Sequence, residues 1–335
     1  MGRLVSAGIG QIPLFTSDCA DSVVERRDWR AEEARAVSTH VDNAAEIREL
    51  RDAGKLQEVY QIAQALILCG LPYKPTDKRQ ITRRARLGDG SALVVTFIAA
   101  MEGVAMPYGT DRAVLHWILD RSVKGNTRFI SWKTAQEFII DVGLSKSGKN
   151  NRDLRERVQR LKGLAISVQR TSSRSEASLM LPVIRRSCLP SSIGERGERK
   201  EEIHVVSADR RSPLGIELDS EFFDEIKQFH VPVPRELINR TRNSSQLQDC
   251  VLFLYWRAFA ANEESLIPWR FLRSQLWQDD KTEGRISLRF IRAIKWLRTI
   301  WPELQAEATR QGLRIAPPLN GKYLIPGTCK KFGGQ

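Results

Sequence analysis

Apolar residues recur at three- and four-residue spacing in several stretches of the chain, and each such stretch predicts a helix with one buried face. Ala45, Ile47 and Leu50, then Leu56, Val59, Ile62, Ala63 and Leu66, give a helical segment within 41–79, with Gly54 between two helices. Ile81–Leu87 and Ala92–Ala99 have the character of strands, joined by Asp89-Gly90, a favoured two-residue turn. A helix opens at Thr110-Asp111, where Thr110 is placed to cap the first turn, and it carries Val114, Trp117 and Ile118 on one face. The extended Arg128-Phe129-Ile130 leads to Ser131 as the cap of a second helix, which Gly143 closes. A third helix spans about Lys149–Lys162, and Leu164–Arg170 and Ala177–Arg185 follow as a hairpin. Helix, helix, helix, hairpin is the plan of a winged helix-turn-helix.

The order recurs downstream. A helix begins at Ser245, Leu266-Ile267-Pro268 is extended, a helix follows from Trp269, and Glu283–Ile300 forms the next. Leu304–Ala308 and Leu313–Ala316 then flank a Gln311-Gly312 turn. Self-similarity at this scale predicts tandem units. The expected fold is α+β and mainly helical, built of tandem winged helix-turn-helix units at 80–189 and 214–328. A linker rich in Ser, Gly, Pro and charge covers 190–213, with a candidate strand at Ile203–Val206. Residues 1–40 show no periodicity and are expected to be poorly ordered.

Composition narrows the class. The chain has 335 residues, 41% of them hydrophobic, enough for packed cores and about two domains. No apolar run approaches the ~20 residues that cross a bilayer. The opening Met1-Gly2-Arg3-Leu4-Val5-Ser6 fits an acylation pattern, but the pattern is short and nothing else points to a membrane. Cys19, Cys69, Cys188, Cys250 and Cys329 are dispersed and odd in number, without zinc spacing, as expected of a reduced, cytosolic protein. No metal or cofactor is called for. With 53 Lys and Arg against 40 Asp and Glu, the net charge of +13 points to a polyanionic partner.

Placement of the charge gives the partner its form. On the third helix of the first unit, Leu154, Val158 and Leu161 face the core. Lys149, Asn151, Arg152, Arg155, Gln159 and Arg160 are the candidate DNA-contacting residues there. On Glu283–Ile300 the core face is Ile286, Phe290, Ala293 and Leu297, leaving Arg285, Arg289, Arg292, Lys295 and Arg298. Each helix carries a net charge of +4, over Lys149–Lys162 and Glu283–Arg298. A basic helix of this kind fits the major groove, where Arg reads guanine and Gln or Asn reads adenine. Arg170 and Arg174 on the first hairpin, and Arg310 on the second, are placed to reach phosphate or the minor groove.

Enzymatic constellations are weak by comparison. Gly143-Leu144-Ser145-Lys146-Ser147-Gly148-Lys149-Asn150 mimics a phosphate-binding P-loop, yet Asn150 stands where a magnesium-binding Ser or Thr is needed. His40, His116, His204 and His230 form no close pair, and Glu263-Glu264 and Asp279-Asp280 read as solvated turns.

Several blocks in sequence resemble the RepA-type plasmid replication initiators. They are Leu71-Pro72-Tyr73-Lys74-Pro75, Arg86-Leu87-Gly88-Asp89-Gly90 and Pro107-Tyr108-Gly109-Thr110-Asp111-Arg112-Ala113-Val114-Leu115-His116. Further along come Gly148–Arg157, Val231-Pro232-Val233-Pro234, Ser265-Leu266-Ile267-Pro268-Trp269 and Trp301–Glu307. The resemblance spans about 66–326 and implies a bacterial, cytoplasmic, non-enzymatic protein. Such a protein binds repeated sequences in duplex DNA at a plasmid origin, promotes opening, and brings in the host helicase or its loading proteins. The resemblance also implies a possible homodimer. The alternatives are a winged-helix repressor that binds a palindrome as a dimer and, in a different class, a P-loop nucleotide hydrolase.

Overall fold

In chain order the elements are β1 (Val59–Ala63), α1 (Gln64–Leu68), β2 (Gln80–Arg86), β3 (Ala92–Ala99), α2 (Asp111–Gly125), β4 (Phe129–Ser131) and α3 (Ala135–Asp141). They continue with α4 (Gly148–Lys162), β5 (Leu164–Thr171), β6 (Glu176–Pro182), β7 (Ile184–Cys188), β8 (Gly215–Leu218), α5 (Ser220–Gln228), β9 (His230–Pro234) and α6 (Arg235–Thr241). Last come α7 (Ser245–Ala260), β10 (Ser265–Pro268), α8 (Trp269–Leu276), α9 (Glu283–Ile300), β11 (Gln305–Ala308) and β12 (Gly312–Ala316). This computed structural model describes residues 46–51, 53, 58–87, 90–132, 134–142, 148–171, 176–189, 215–242, 244–277 and 283–325, setting aside the side chains at 135–136, 148–152 and 283. All of these fall within His40–Gln335, which packs as one unit.

The expectation of a mainly helical chain is corrected. The architecture is mixed: 45% helix and 29% strand among the described residues, with the strands in four antiparallel sheets. The sheets run β1-β9, β2-β3-β5-β6, β4-β8-β7 and β10-β12-β11. The missing strand content has a physical origin, because much of it depends on partners far away in sequence. Residues 59–63, whose spacing suggests a helix, form β1 because Val59–Ala63 pair with Pro234–His230. Pro232 and Pro234 are tolerated in β9 because of register: Pro232 lies opposite Gln61, whose N–H goes to Asp120 Oδ1 (2.8 Å) rather than across the ladder.

The two expected units differ in construction. In the C-terminal one, α7, α8 and α9 pack with the three-stranded sheet, and β10 pairs with β12 in the β11–β12 hairpin. In the N-terminal one, β4 pairs with β8 instead of the following hairpin, and β5–β6 extends the β2–β3 hairpin into a four-stranded sheet. Strand β8, at the start of the C-terminal half, thereby joins the first half. Capping differs too. Thr110 makes no side-chain cap bond, and the Asp111 carboxylate accepts the Tyr108 N–H (3.0 Å). Ser131 ends β4, while Thr134 caps α3 by accepting from the Glu137 N–H (3.1 Å). The candidate strand Ile203–Val206 lies outside the described residues.

Apolar faces behave as the periodicity predicts. Leu154, Val158 and Leu161 on α4, and Ile286, Phe290, Ala293 and Leu297 on α9, are buried. Trp117, Trp132, Trp256, Trp269 and Trp296 are core residues as well. Cys69 and Cys250 are free buried thiols, and burial pushes Cys69 up to about 12. No helix among the described residues is long and apolar enough to cross a membrane.

Candidate nucleic-acid interface

Helix α9 presents a basic face to solvent. The helix buries one side against α7 and α8, which turns the opposite side outward. Arg285, Arg292 and Lys295 are exposed there, and the described helix carries no acidic side chain after Glu283. Arg289 lies at the edge of this face, half-buried, with its guanidinium 4.8 Å from the Trp277 ring centre and 5.5 Å from that of Tyr73. Arg298 is exposed but donates through Nη2 to the Ala306 carbonyl (2.8 Å), tying α9 to the edge strand β11. Arg310 is exposed at the β11–β12 turn.

On α4 the candidates divide into several roles. Arg155 and Gln159 are exposed. Arg160 is turned against α2: Nε and Nη2 donate to Asp111 at 2.7 and 2.9 Å, and the guanidinium lies 5.0 Å from the Tyr108 ring centre. Arg157 approaches the same carboxylate at 3.8 Å. Asp111 is buried, so two α4 cations serve to hold α4 on the start of α2. The side chains of Lys149, Asn151 and Arg152 fall outside the described residues, as does Arg174. Arg170 stacks on the Phe229 ring at 3.9 Å and donates to Glu225 (2.5 Å), joining β5 to α5. Residues 143–147 of the P-loop-like run are also outside the described set. The stretch before them is helix α3, where a P-loop requires a strand.

Sequence reasoning missed the junction behind these helices. Arg112 of α2 forms an ion pair with Asp249 of α7, both buried, and donates to the carbonyls of Ser245 (2.8 Å), Leu71 (2.9 Å) and Pro72 (3.3 Å). Burial raises the Asp249 carboxyl above its usual value, and Arg112 pulls it back. Arg83 of β2 is buried nearby and acts on the same carboxylate. His116, one turn along α2 from Arg112, is held neutral by burial and by that charge, its pKa lowered to about 3. The available signal was the clustering of Arg112 and His116 with Pro107–Asp111, but nothing local named Asp249 as the partner.

No protein-family model matches the chain, and no curated protein matches it in sequence. Among solved structures it is similar to the crystal structure of RctB domains 2-3 (RctB-155-483), at 13% identity and a TM-score of 0.39 over 75% of this chain and 94% of that one. It is also similar to the selenomethionine derivative of domain 2 and domain 3 of RctB, at 12% identity and a TM-score of 0.44 over 76% and 97% of the two chains. A likeness this loose carries no statement about function.

Proposed function

We propose that the chain is an origin-binding replication initiator that reads repeated sequences in duplex DNA and promotes opening by binding energy, with no catalysis of its own. Host helicase or helicase-loading proteins would act on the opened duplex. The observation that carries the reading is the solvent face of α9, where Arg285, Arg292 and Lys295 stand exposed opposite a fully buried apolar face. A helix presenting cations this way suits the major groove and its flanking phosphates. We read α7 to β12 as a winged-helix unit with the β11–β12 hairpin as its wing and Arg310 at the tip. In the N-terminal half, Arg155 and Gln159 of α4 present a second contact surface. The sequence blocks that resemble RepA-type initiators supply the replication context.

The test is binding of the full chain to a duplex carrying the repeats beside its coding region, against a scrambled duplex, over a salt series. We expect selective binding with a steep salt slope. Arg292→Ala and Lys295→Ala should each weaken it by about 1–3 kcal/mol where the side chain meets a base edge. Unchanged affinity and slope in both variants would remove α9 as the reading helix.

A further inference from the structure

Two chain segments each hold a tyrosine beneath an arginine of one basic helix. Tyr73, in the loop between α1 and β2, lies under Arg289 of α9 (5.5 Å). Tyr108, just before α2, lies under Arg160 of α4 (5.0 Å). The segments are joined directly, since the Gly109 N–H donates to the Pro72 carbonyl (2.9 Å). Gly109 has φ of +53°, and a Cβ there would meet the Tyr73 carbonyl at 3.4 Å. Arg112 fixes the loop from beneath through the Leu71 and Pro72 carbonyls. The next residue, Lys74, is exposed, with its ammonium 5.8 Å from the Tyr73 ring centre. The loop continues through exposed Asp77, Lys78 and Arg79. A cation is therefore presented from a pinned loop, next to the tyrosine that lies under Arg289 at the edge of the α9 basic face.

We propose that this loop is a third contact to duplex DNA, with Lys74 on a backbone phosphate between the segments met by α4 and α9. This rests on the DNA-binding reading above. A phosphate contact adds affinity and salt dependence without sequence preference, whereas a helix in the groove supplies the preference.

The experiment compares the parent chain, Lys74→Ala, Lys74→Arg and Arg292→Ala on the repeat duplex and its scrambled form, with a hydroxyl-radical footprint of each. Lys74→Ala should weaken binding to both duplexes about 3- to 10-fold and reduce the slope of log K against log salt by about 1. It should also lose protection between two flanking protected segments, and Lys74→Arg should keep all three properties. Lys74→Ala binding like the parent while Arg292→Ala binds less would overturn the loop contact and leave the α9 reading standing. A parent chain that binds neither duplex would remove both.

Discussion

His116 shows how one side chain registers the burial of the whole junction. Its ring sits on α2 at 4% exposure, one turn from the Arg112 guanidinium, and it stays neutral because burial and that neighbouring charge both oppose protonation. The unfolded chain takes up this proton near pH 6.5, while the folded chain takes it up only near 3. Between these values the unfolded state binds more protons, so stability is complete above about pH 6.5 and is lost as pH falls. The expected loss between pH 7 and pH 5 is about 2 kcal/mol from this residue alone. Urea unfolding at both pH values tests it by comparison with His116→Leu, in which that part of the pH dependence disappears while other titrating groups cancel. Equal pH dependence in the two proteins would mean that the ring is hydrated in the native state.

At the scale of elements, close approach decides which positions tolerate a side chain. In the β10–β12 pair, a Cβ on Gly312 would lie 2.2 Å from the Ile267 carbonyl oxygen and 2.7 Å from its carbon. Backbone is the obstacle there, so no rotamer change relieves it, and Gly312→Ala should destabilise by about 1–3 kcal/mol or more. Gly284, in the first turn of α9, has nothing within 4 Å, so Gly284→Ala should be neutral or stabilising by up to about 1 kcal/mol. Thermal unfolding of the two variants should therefore shift in different senses, and a matching fall in both would show that α9 begins differently. Elements with a local signal were legible in the sequence: α4 and α9 from their apolar stripes, and β2–β3 and β11–β12 from their turns. Those defined by distant partners were not. β1 looks helical until Val231–Pro234 is laid against it, and β8 and β9 carry no turn signal that announces them. The candidate site was legible in part for the same reason. Helical phase exposes Arg285, Arg292 and Lys295, but it does not reveal that Asp111 at the start of α2 will take Arg160 of α4.

At the scale of the molecule, three of the seven blocks that suggested a replication initiator meet at its internal junction. Leu71–Pro75, the Pro107–His116 block and β9 belong to the contacts that join the N-terminal half to α7 and its sheet. Arg112 is the centre of this arrangement, because a single guanidinium reaches Leu71, Pro72, Ser245 and Asp249. Truncating one partner of a buried ion pair leaves the other charge without compensation, at a cost of about 3–5 kcal/mol, whereas replacing both by apolar groups of similar volume removes the charge altogether. Arg112→Met and Asp249→Leu should therefore each be strongly destabilising, and the double variant should cost much less than their sum. The Arg112 variant should also lose more than the Asp249 variant, since three backbone carbonyls lose a donor with it. Denaturant unfolding of the four proteins measures the coupling directly. An additive double variant would mean that Arg112 and Asp249 act separately, and that the two halves are held by apolar contacts rather than by this pair.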